Sequence, residues 1–132
     1  MGYTGSLTQS AAWKDLQEHY SRISDHHMRD WFNEDPNRFD TFQLEAAGLT
    51  LDYSKNRITE DTMSLLLSLA REQDLPAKIG AMFNGETINR SENRPALHTA
   101  LRNFGDRDIM VDGENIMPEI RETVHRMEEF CW

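Results

Sequence analysis

Cysteine is almost absent from this sequence, since Cys131 is the single one among 132 residues. The chain therefore cannot form an internal disulfide, and it suits a reducing compartment. Long apolar runs are also missing, because none approaches the roughly 20 residues that a membrane-spanning helix needs. The first residues lack the basic and apolar regions of a secretory signal, and the bulky Tyr3 makes Gly2 a poor myristoylation site. These absences predict a soluble, cytoplasmic protein.

Basic residues are too few and too scattered for a nucleic-acid surface. Lysine and arginine number 14 against 23 aspartates and glutamates, which gives a net charge of -9. A phosphate backbone requires clustered positive charge, and an anionic membrane would repel this chain. We therefore expect neither nucleic acid nor a membrane as a partner. A small anionic substrate stays compatible, because a local pocket can be positive within an acidic protein.

Apolar residues recur at helical spacing through most of the chain, which predicts a series of amphipathic helices. Their apolar faces carry Trp13, Leu16, Tyr20 and Ile23; Met28, Trp31 and Phe32; Phe39; Met63, Leu66, Leu67 and Ala70; Ile79, Met82 and Phe83; Leu97, Ala100, Leu101 and Phe104; and Ile120, Val124, Met127 and Phe130. The predicted starts are Thr8 or Ser10, Ser24, Asp35 with Pro36, Thr59 and Pro76. Gly85 and Gly105 are predicted to end two of these helices.

Two stretches alternate in polarity instead. The alternating apolar positions are Phe42 and Leu44, followed by Leu49, Leu51 and Tyr53. With residues 45–48 as the turn, they predict a β-hairpin. Residues 109–111 predict one further short strand before a turn at Asp112 and Gly113. The fold class predicted for residues 1–132 is therefore a helix-rich α+β chain, with about six helices, a β-hairpin and one further short strand.

The densest group of metal-capable side chains consists of Asp25, His26, His27 and Asp30. His26 and Asp30 are four residues apart and would share a helix face, a geometry that can hold zinc. Two ligands do not make a site, and neither a third ligand nor a cysteine pair stands at a recognisable spacing. The simpler interpretation is an exposed helix start with acids near the positive end of its dipole. We predict no metal site.

Two polar loops, residues 53–57 and 89–94, place hydroxyl, amide and cationic groups at strand or helix ends, where phosphate binding is physically easy. Neither loop is rich in glycine, so neither matches a phosphate-binding loop or a dinucleotide fingerprint. The simpler interpretation is a turn at Ser54 or Asn56 and a helix cap at Asn93, with Pro95 in the first turn.

No catalytic group is self-evident. His98 lies beside the predicted apolar face of Leu97 and Leu101, where most histidines are satisfied by a backbone or carboxylate partner. Cys131 has no nearby base to lower its pKa, and no serine lies in a nucleophile elbow. Four aromatic side chains are more simply interpreted as core residues than as part of a cofactor-binding site: Trp13, Trp31, Phe32 and Phe42. We predict no catalytic, substrate-binding or metal-binding residue in this chain.

Three phrases in matching order and spacing resemble the amino-terminal region of glucose-6-phosphate isomerases. They are LDYSKNRIT at residues 51–59, GETIN at residues 85–89 continuing as ENRPALHTALR at residues 92–102, and VDGENIMPE at residues 111–119. Thr87 and Pro95 depart mildly from the family pattern. The resemblance covers essentially the whole chain.

The resemblance implies a part of an enzyme that interconverts glucose 6-phosphate and fructose 6-phosphate, in glycolysis and gluconeogenesis, without a metal or organic cofactor. In that family a histidine assists ring opening, a glutamate moves a proton through a cis-enediol, and an arginine steadies the enediolate. Those groups belong to two sugar-isomerase domains that would follow residues 1–132. The resemblance therefore implies an inactive piece, contributing to a homodimer when joined to the rest of the chain.

Two alternatives remain open from the sequence. One is a free-standing interaction module of the same ancestry, and the other is a sugar-phosphate-binding domain that uses the loops at residues 55–57 and 90–94. The apolar residues at positions 130–132 favour an excised piece, or packing on material outside the chain.

Overall fold

The computed structural model describes residues 6–131, so Gly2, Tyr3 and Trp132 lie outside it. The described part is a helix-rich α+β fold, as predicted, and none of its helices is long and apolar enough to span a membrane. It divides into two compact units, which meet in the sequence between Gln73 and Asp74. The elements of the first unit are α1 (Ala11–Ile23), α2 (Met28–Glu34), α3 (Arg38–Thr41), β1 (Gln43–Ala46), β2 (Leu49–Asp52) and α4 (Glu60–Glu72). Those of the second are α5 (Leu75–Phe83), β3 (Met110–Val111), β4 (Glu114–Asn115) and α6 (Met117–Cys131).

Helix α1 begins at a doubly capped end. Of the two predicted caps it is Ser10 whose hydroxyl accepts from the Trp13 amide, at 3.3 Å. The Glu72 carboxylate, from the last residue of α4, accepts from the amides of Ala11 and Ala12 at 3.2 and 2.9 Å. An anion at this position satisfies amides that have no helical partner and complements the helix dipole.

The other end of the α1–α4 pair is fixed by a buried histidine. His19 Nε2 lies 2.6 Å from Thr62 Oγ1, in the first turn of α4. Since the end of α4 meets the start of α1, and the start of α4 meets His19, the two helices are antiparallel. The face that α1 buries therefore carries Ala12 and His19, and the expectation that Tyr20 belongs to it is wrong, because Tyr20 is 66% exposed.

Two predicted helix starts are displaced. Ser24 follows the last residue of α1 instead of opening the next helix, and α2 begins four residues later with His27 as its cap, where the ring Nδ1 accepts from the Arg29 amide. Asp35 does not cap α3 directly. Its carboxylate accepts from the Asn37 amide and forms a turn that precedes the helix.

The predicted hairpin is confirmed, with a shorter turn than expected. Strands β1 and β2 pair antiparallel from Gln43 opposite Asp52 to Ala46 opposite Leu49. The turn therefore consists of two residues, Ala47 and Gly48, both with positive φ. Two such residues form the turn whose twist matches that of the strands, so the flanking residues stay in the ladder.

The core of the second unit is formed by Ala100, Ile109 and Met117, with Leu97, Ile116 and Ile120 packed against it. Here the strand predicted at residues 109–111 is confirmed as β3, whereas its partner strand β4 was not predicted. Val111 pairs with Glu114 across the turn, so the structure has a second small hairpin, β3–β4.

The helix predicted from Leu97 to Gly105 is wrong. Only Ala100–Arg102 forms a short 3-10 turn. Arg94 exchanges both backbone hydrogen bonds with Asn89, and Asn93 takes a positive φ of 50°, so the chain before the turn is held out of helical geometry. Asn93 is therefore not a helix cap.

Candidate functional site

Arg38 holds the segment between β2 and α4 in place. This segment lies within the first of the three sequence phrases, residues 51–59. From α3, the Arg38 Nε donates to the Ser54 carbonyl at 2.8 Å. Its Nη2 donates to the carbonyls of Asn56 and Ile58, at 3.0 and 2.7 Å. One rigid guanidinium thus satisfies three carbonyls of an irregular segment, and the backbone between β2 and α4 is tied to α3.

The Arg38 guanidinium lies among aromatic rings. Its central carbon is 4.4 Å from the centre of the Phe42 ring, 5.2 Å from that of Trp31 and 5.7 Å from that of Phe32. The side chain is 3% exposed, and burial lowers the pKa of Arg38, while the charge of Asp35 opposes this shift. The cation still finds favourable partners, because ring faces attract it and the carbonyls take its protons.

Asp52, the last residue of β2, shapes the same segment. Its Oδ1 accepts from the Ser54 hydroxyl at 2.6 Å and from the Ser54 amide at 2.9 Å. The hydrogen bond from the Ser54 hydroxyl lowers the pKa of Asp52 most, and the hydrogen bond from the Ser54 amide lowers it further. Desolvation raises this pKa in part, and the charge of Lys55 lowers it. Tyr53, between them, packs edge-on against Phe42 with ring centres 5.9 Å apart.

The Asp52 turn predicts a specific dependence of stability on pH. Because the pKa of Asp52 is lower in the folded chain, its contribution is complete above the unfolded value of about 4 and disappears as pH falls through the folded pKa. We expect Asp52→Asn to lower the urea midpoint at pH 7 and to have a smaller effect at pH 3. Asp15→Asn, which removes an exposed acid of α1, is the matched control. An equal effect of Asp52→Asn at both pH values would contradict this role.

Arg57, a candidate phosphate ligand from the sequence, serves the connection between α1 and α2. Its Nη2 donates to the carbonyl of Ser24 and, at 2.9 Å, to that of His26. Lys55 is exposed on the same segment. The structure therefore uses one of the two cations of this loop to bind backbone carbonyls, although both side chains are exposed.

The second candidate loop, residues 89–94, closes on itself. Asn89 Oδ1 accepts from the Ser91 hydroxyl at 2.9 Å and from the Glu92 amide at 3.3 Å. The Glu92 carboxylate pairs with Arg94 and also accepts from Asn89 Nδ2. The Glu92 carboxylate therefore already neutralises Arg94, one of the two arginines that this loop offers to an anion.

The histidine group near α2 has structural partners as well. His26 stacks on Trp31, with ring centres 6.1 Å apart, and precedes α2, so it shares no helix face with Asp30. His27 caps the helix through its Nδ1. Within residues 6–131, no three side chains of metal-binding type come together.

The remaining candidate, His98, is exposed rather than placed against the core, and its backbone carbonyl accepts from Arg102. Cys131 is exposed and free. Two important residues escaped the sequence patterns, namely Arg38 and His19. A usable signal for Arg38 was its position seven residues after Trp31 and four before Phe42; His19 offered none beyond lying on the predicted helix.

Comparison with known proteins identifies a family that this chain matches. The family model described as "Phosphoglucose isomerase" matches residues 52–132. A glucose-6-phosphate isomerase of Alteromonas mediterranea is 50% identical over 124 residues, and glucose-6-phosphate isomerase 1 of Chromobacterium violaceum is 52% identical over 125 residues. These alignments cover 94% and 95% of this chain and 23% of each relative. The chain thus spans about a quarter of the length of the curated relatives it matches.

A solved structure agrees on the fold. The crystal structure of a glucose-6-phosphate isomerase from Chlamydia trachomatis matches with a TM-score of 0.79, at 24% sequence identity. The match covers 96% of this chain and 25% of that one.

Proposed function

The chain belongs to the phosphoglucose isomerase family, and we propose that it forms the amino-terminal part of a glucose-6-phosphate isomerase. The whole enzyme would interconvert glucose 6-phosphate and fructose 6-phosphate by acid–base proton transfer, in glycolysis and gluconeogenesis. The observation that carries the proposal is the identity of about half, sustained over more than 90% of this chain, with relatives of that name. A cytoplasmic homodimer is the corresponding proposal for the assembled protein.

We propose further that these 132 residues are a structural part of that enzyme and are inactive alone. Three observations support this. Two of the cations that the sequence offered for phosphate binding already have partners, because Arg57 donates to the Ser24 carbonyl and Arg94 pairs with Glu92. Arg38 and His19, two of the buried polar groups of the first unit, join elements of the fold. The relatives also have about three quarters of their length outside the matched part.

The activity of the chain tests the proposal directly. We expect no conversion of fructose 6-phosphate to glucose 6-phosphate by the purified 132-residue chain, in an assay coupled to oxidation of the product. A hybrid in which this chain replaces the matching quarter of the Alteromonas mediterranea relative should keep kcat within about tenfold of that relative. The hybrid should work because the family and fold of the exchanged part are the same.

Two controls complete the experiment. The unaltered relative sets the full rate, and the relative without its matching quarter shows how much of the rate depends on this part. Sustained turnover by the 132-residue chain, lost on substitution of one of its glutamates, would contradict the inactivity of the part. A folded hybrid without turnover would contradict the assignment to this enzyme.

A further inference from the structure

The β1–β2 hairpin has an uncovered apolar face. Leu44 stands opposite Leu51 and Ala46 opposite Leu49, and cross-strand partners share a face. Leu44, Leu49 and Leu51 are 57%, 74% and 59% exposed. We call these four residues the hairpin face.

The reverse side of the hairpin is polar, with Gln43, Glu45, Thr50 and Asp52. Thr50 donates from its hydroxyl to Glu45 across the strands, and Asp52 is occupied by Ser54. The reverse side of the hairpin is therefore the one suited to contact with water. A two-stranded sheet is marginal alone, and an antiparallel sheet with one polar side normally packs its apolar side against other structure.

The register makes this amphipathicity specific. A shift of one residue would exchange the two faces, and the two-residue turn at Ala47 and Gly48 prevents such a shift. Leucine on three of four positions of an exposed face is also an aggregation hazard unless something covers it. The hairpin thus presents an exposed apolar surface that favours contact with another apolar surface, despite the risk of aggregation.

The occupant follows from the length of the relatives. In the Chlamydia trachomatis isomerase the same fold is one quarter of a continuous chain, so three further quarters of polypeptide are tethered to it. A tethered partner is present at high effective concentration, which favours it over a free one. We propose that the hairpin face is the surface on which the rest of the isomerase chain packs through an apolar surface of its own. This inference rests on the proposed function.

The test compares one pair of substitutions in two contexts. The hybrid of this chain with the Alteromonas mediterranea relative carries Leu44→Ser together with Leu51→Ser, and so does the 132-residue chain alone. We expect the Tm of the hybrid to fall by about 5 °C or more, and that of the chain alone by less than about 1 °C. The difference arises because the leucines are buried by the packed partner in the hybrid and face water in the chain alone.

The matched control changes the reverse side of the same hairpin, as Glu45→Gln together with Thr50→Ser. It should leave both melting temperatures within about 1 °C. Equal losses from the leucine substitutions in both contexts would overturn the proposal, because they would place the effect within the hairpin. An unaltered Tm of the hybrid would overturn it as well.

A second copy of this chain is the competing occupant. Sedimentation velocity over a range of concentrations tests whether the 132-residue chain forms a dimer. If Leu44→Ser with Leu51→Ser dissociates such a dimer and leaves the Tm of the hybrid unchanged, the proposal is overturned in favour of self-association. If the double variant of the hybrid does not fold, Leu51→Ala alone is compared in the same two contexts, with the same expected contrast. If the hybrid itself does not fold, the aligned positions are changed to serine in the intact relative, whose Tm should fall and whose unaltered Tm would count against the proposal.

Activity and stability are measured separately, so the two proposals can fail separately. A folded hybrid without turnover counts against the enzyme assignment. An active hybrid whose Tm ignores the leucine substitutions counts against the hairpin face alone.

Discussion

Replacement of Arg38 by alanine is expected to lower the free energy of unfolding of the first unit by about 3 kcal/mol. The substitution removes the donor to the carbonyls of Ser54, Asn56 and Ile58. The Ser54 side of this arrangement is buried, so water cannot replace the lost bond there without opening the structure. The alanine also leaves space beside Phe42, where the guanidinium stood.

Urea unfolding followed by tryptophan fluorescence measures this effect, because Trp31 lies against the guanidinium. Arg38→Met separates packing from hydrogen bonding, since it keeps an apolar stem but no donor, and it should lose about 2 kcal/mol. Arg38→Lys keeps the charge but not the planar fork, and it should also be clearly destabilised. Arg29→Ala, at an exposed arginine of α2, is the control, with a change within about 0.5 kcal/mol. A change of that small size at Arg38 would disprove its role.

The origin of these contacts explains how much of the fold could be predicted. Local patterns were sufficient for α1, α4 and α6, where apolar residues recur over three or four turns, and for the first hairpin. The isomerase resemblance is confirmed by the family match, and it depended on ordered phrases rather than on any single pattern. These signals are contained within short windows of sequence.

The errors arise where contacts between distant segments overrule local preference. The stretch from Leu97 to Phe104 has helical spacing but forms only one 3-10 turn, whose Ala100 packs with Ile109 and Met117 in the core of the second unit. Tyr20 follows the period of α1, yet His19 is the residue that α4 buries, because Thr62 offers it a hydroxyl. Neither outcome can be deduced without knowing which segments meet.

The candidate site shows the same division. Sequence inspection correctly placed Ser54 at a turn, since that turn is made with Asp52 two residues away. It did not assign Arg57 to the α1–α2 connection or Arg38 to its three carbonyls, because those partners are 16 or more residues distant. The sequence therefore showed that this loop carries cations, but it did not show that Arg57 binds backbone carbonyls.

Gly85 is the second position where a large effect is expected, and its reason is visible in the backbone. It follows α5 with a φ of +79°, and the amides of Gly85 and Glu86 donate to the carbonyls of Met82 and Ala81, the hydrogen bonds of a Schellman motif. The prediction that Gly85 ends this helix is confirmed. Positive φ alone makes any other residue unfavourable here.

Space is a further restriction at Gly85. A Cβ there would stand 2.8 Å from the Met110 carbonyl oxygen and 2.9 Å from Ile109 Cγ2, both in or beside β3. The carbonyl cannot move aside as the end of a flexible side chain could, and Ile109 belongs to the core of the second unit. Relief would therefore require α5 to separate from β3.

We expect Gly85→Ala to destabilise the second unit by roughly 3 kcal/mol, the sum of backbone strain and this clash. Gly113→Ala is the matched control, because Gly113 has a φ of +87° but nothing within 4 Å of an added Cβ. It should cost roughly 1 kcal/mol, for strain alone. Amide exchange of Ile116, which donates to the Ile109 carbonyl, measures both variants in the same unit. Equal acceleration by the two substitutions would mean that α5 and β3 are not closely packed at Gly85, whereas an excess at Gly85 measures the cost of separating them.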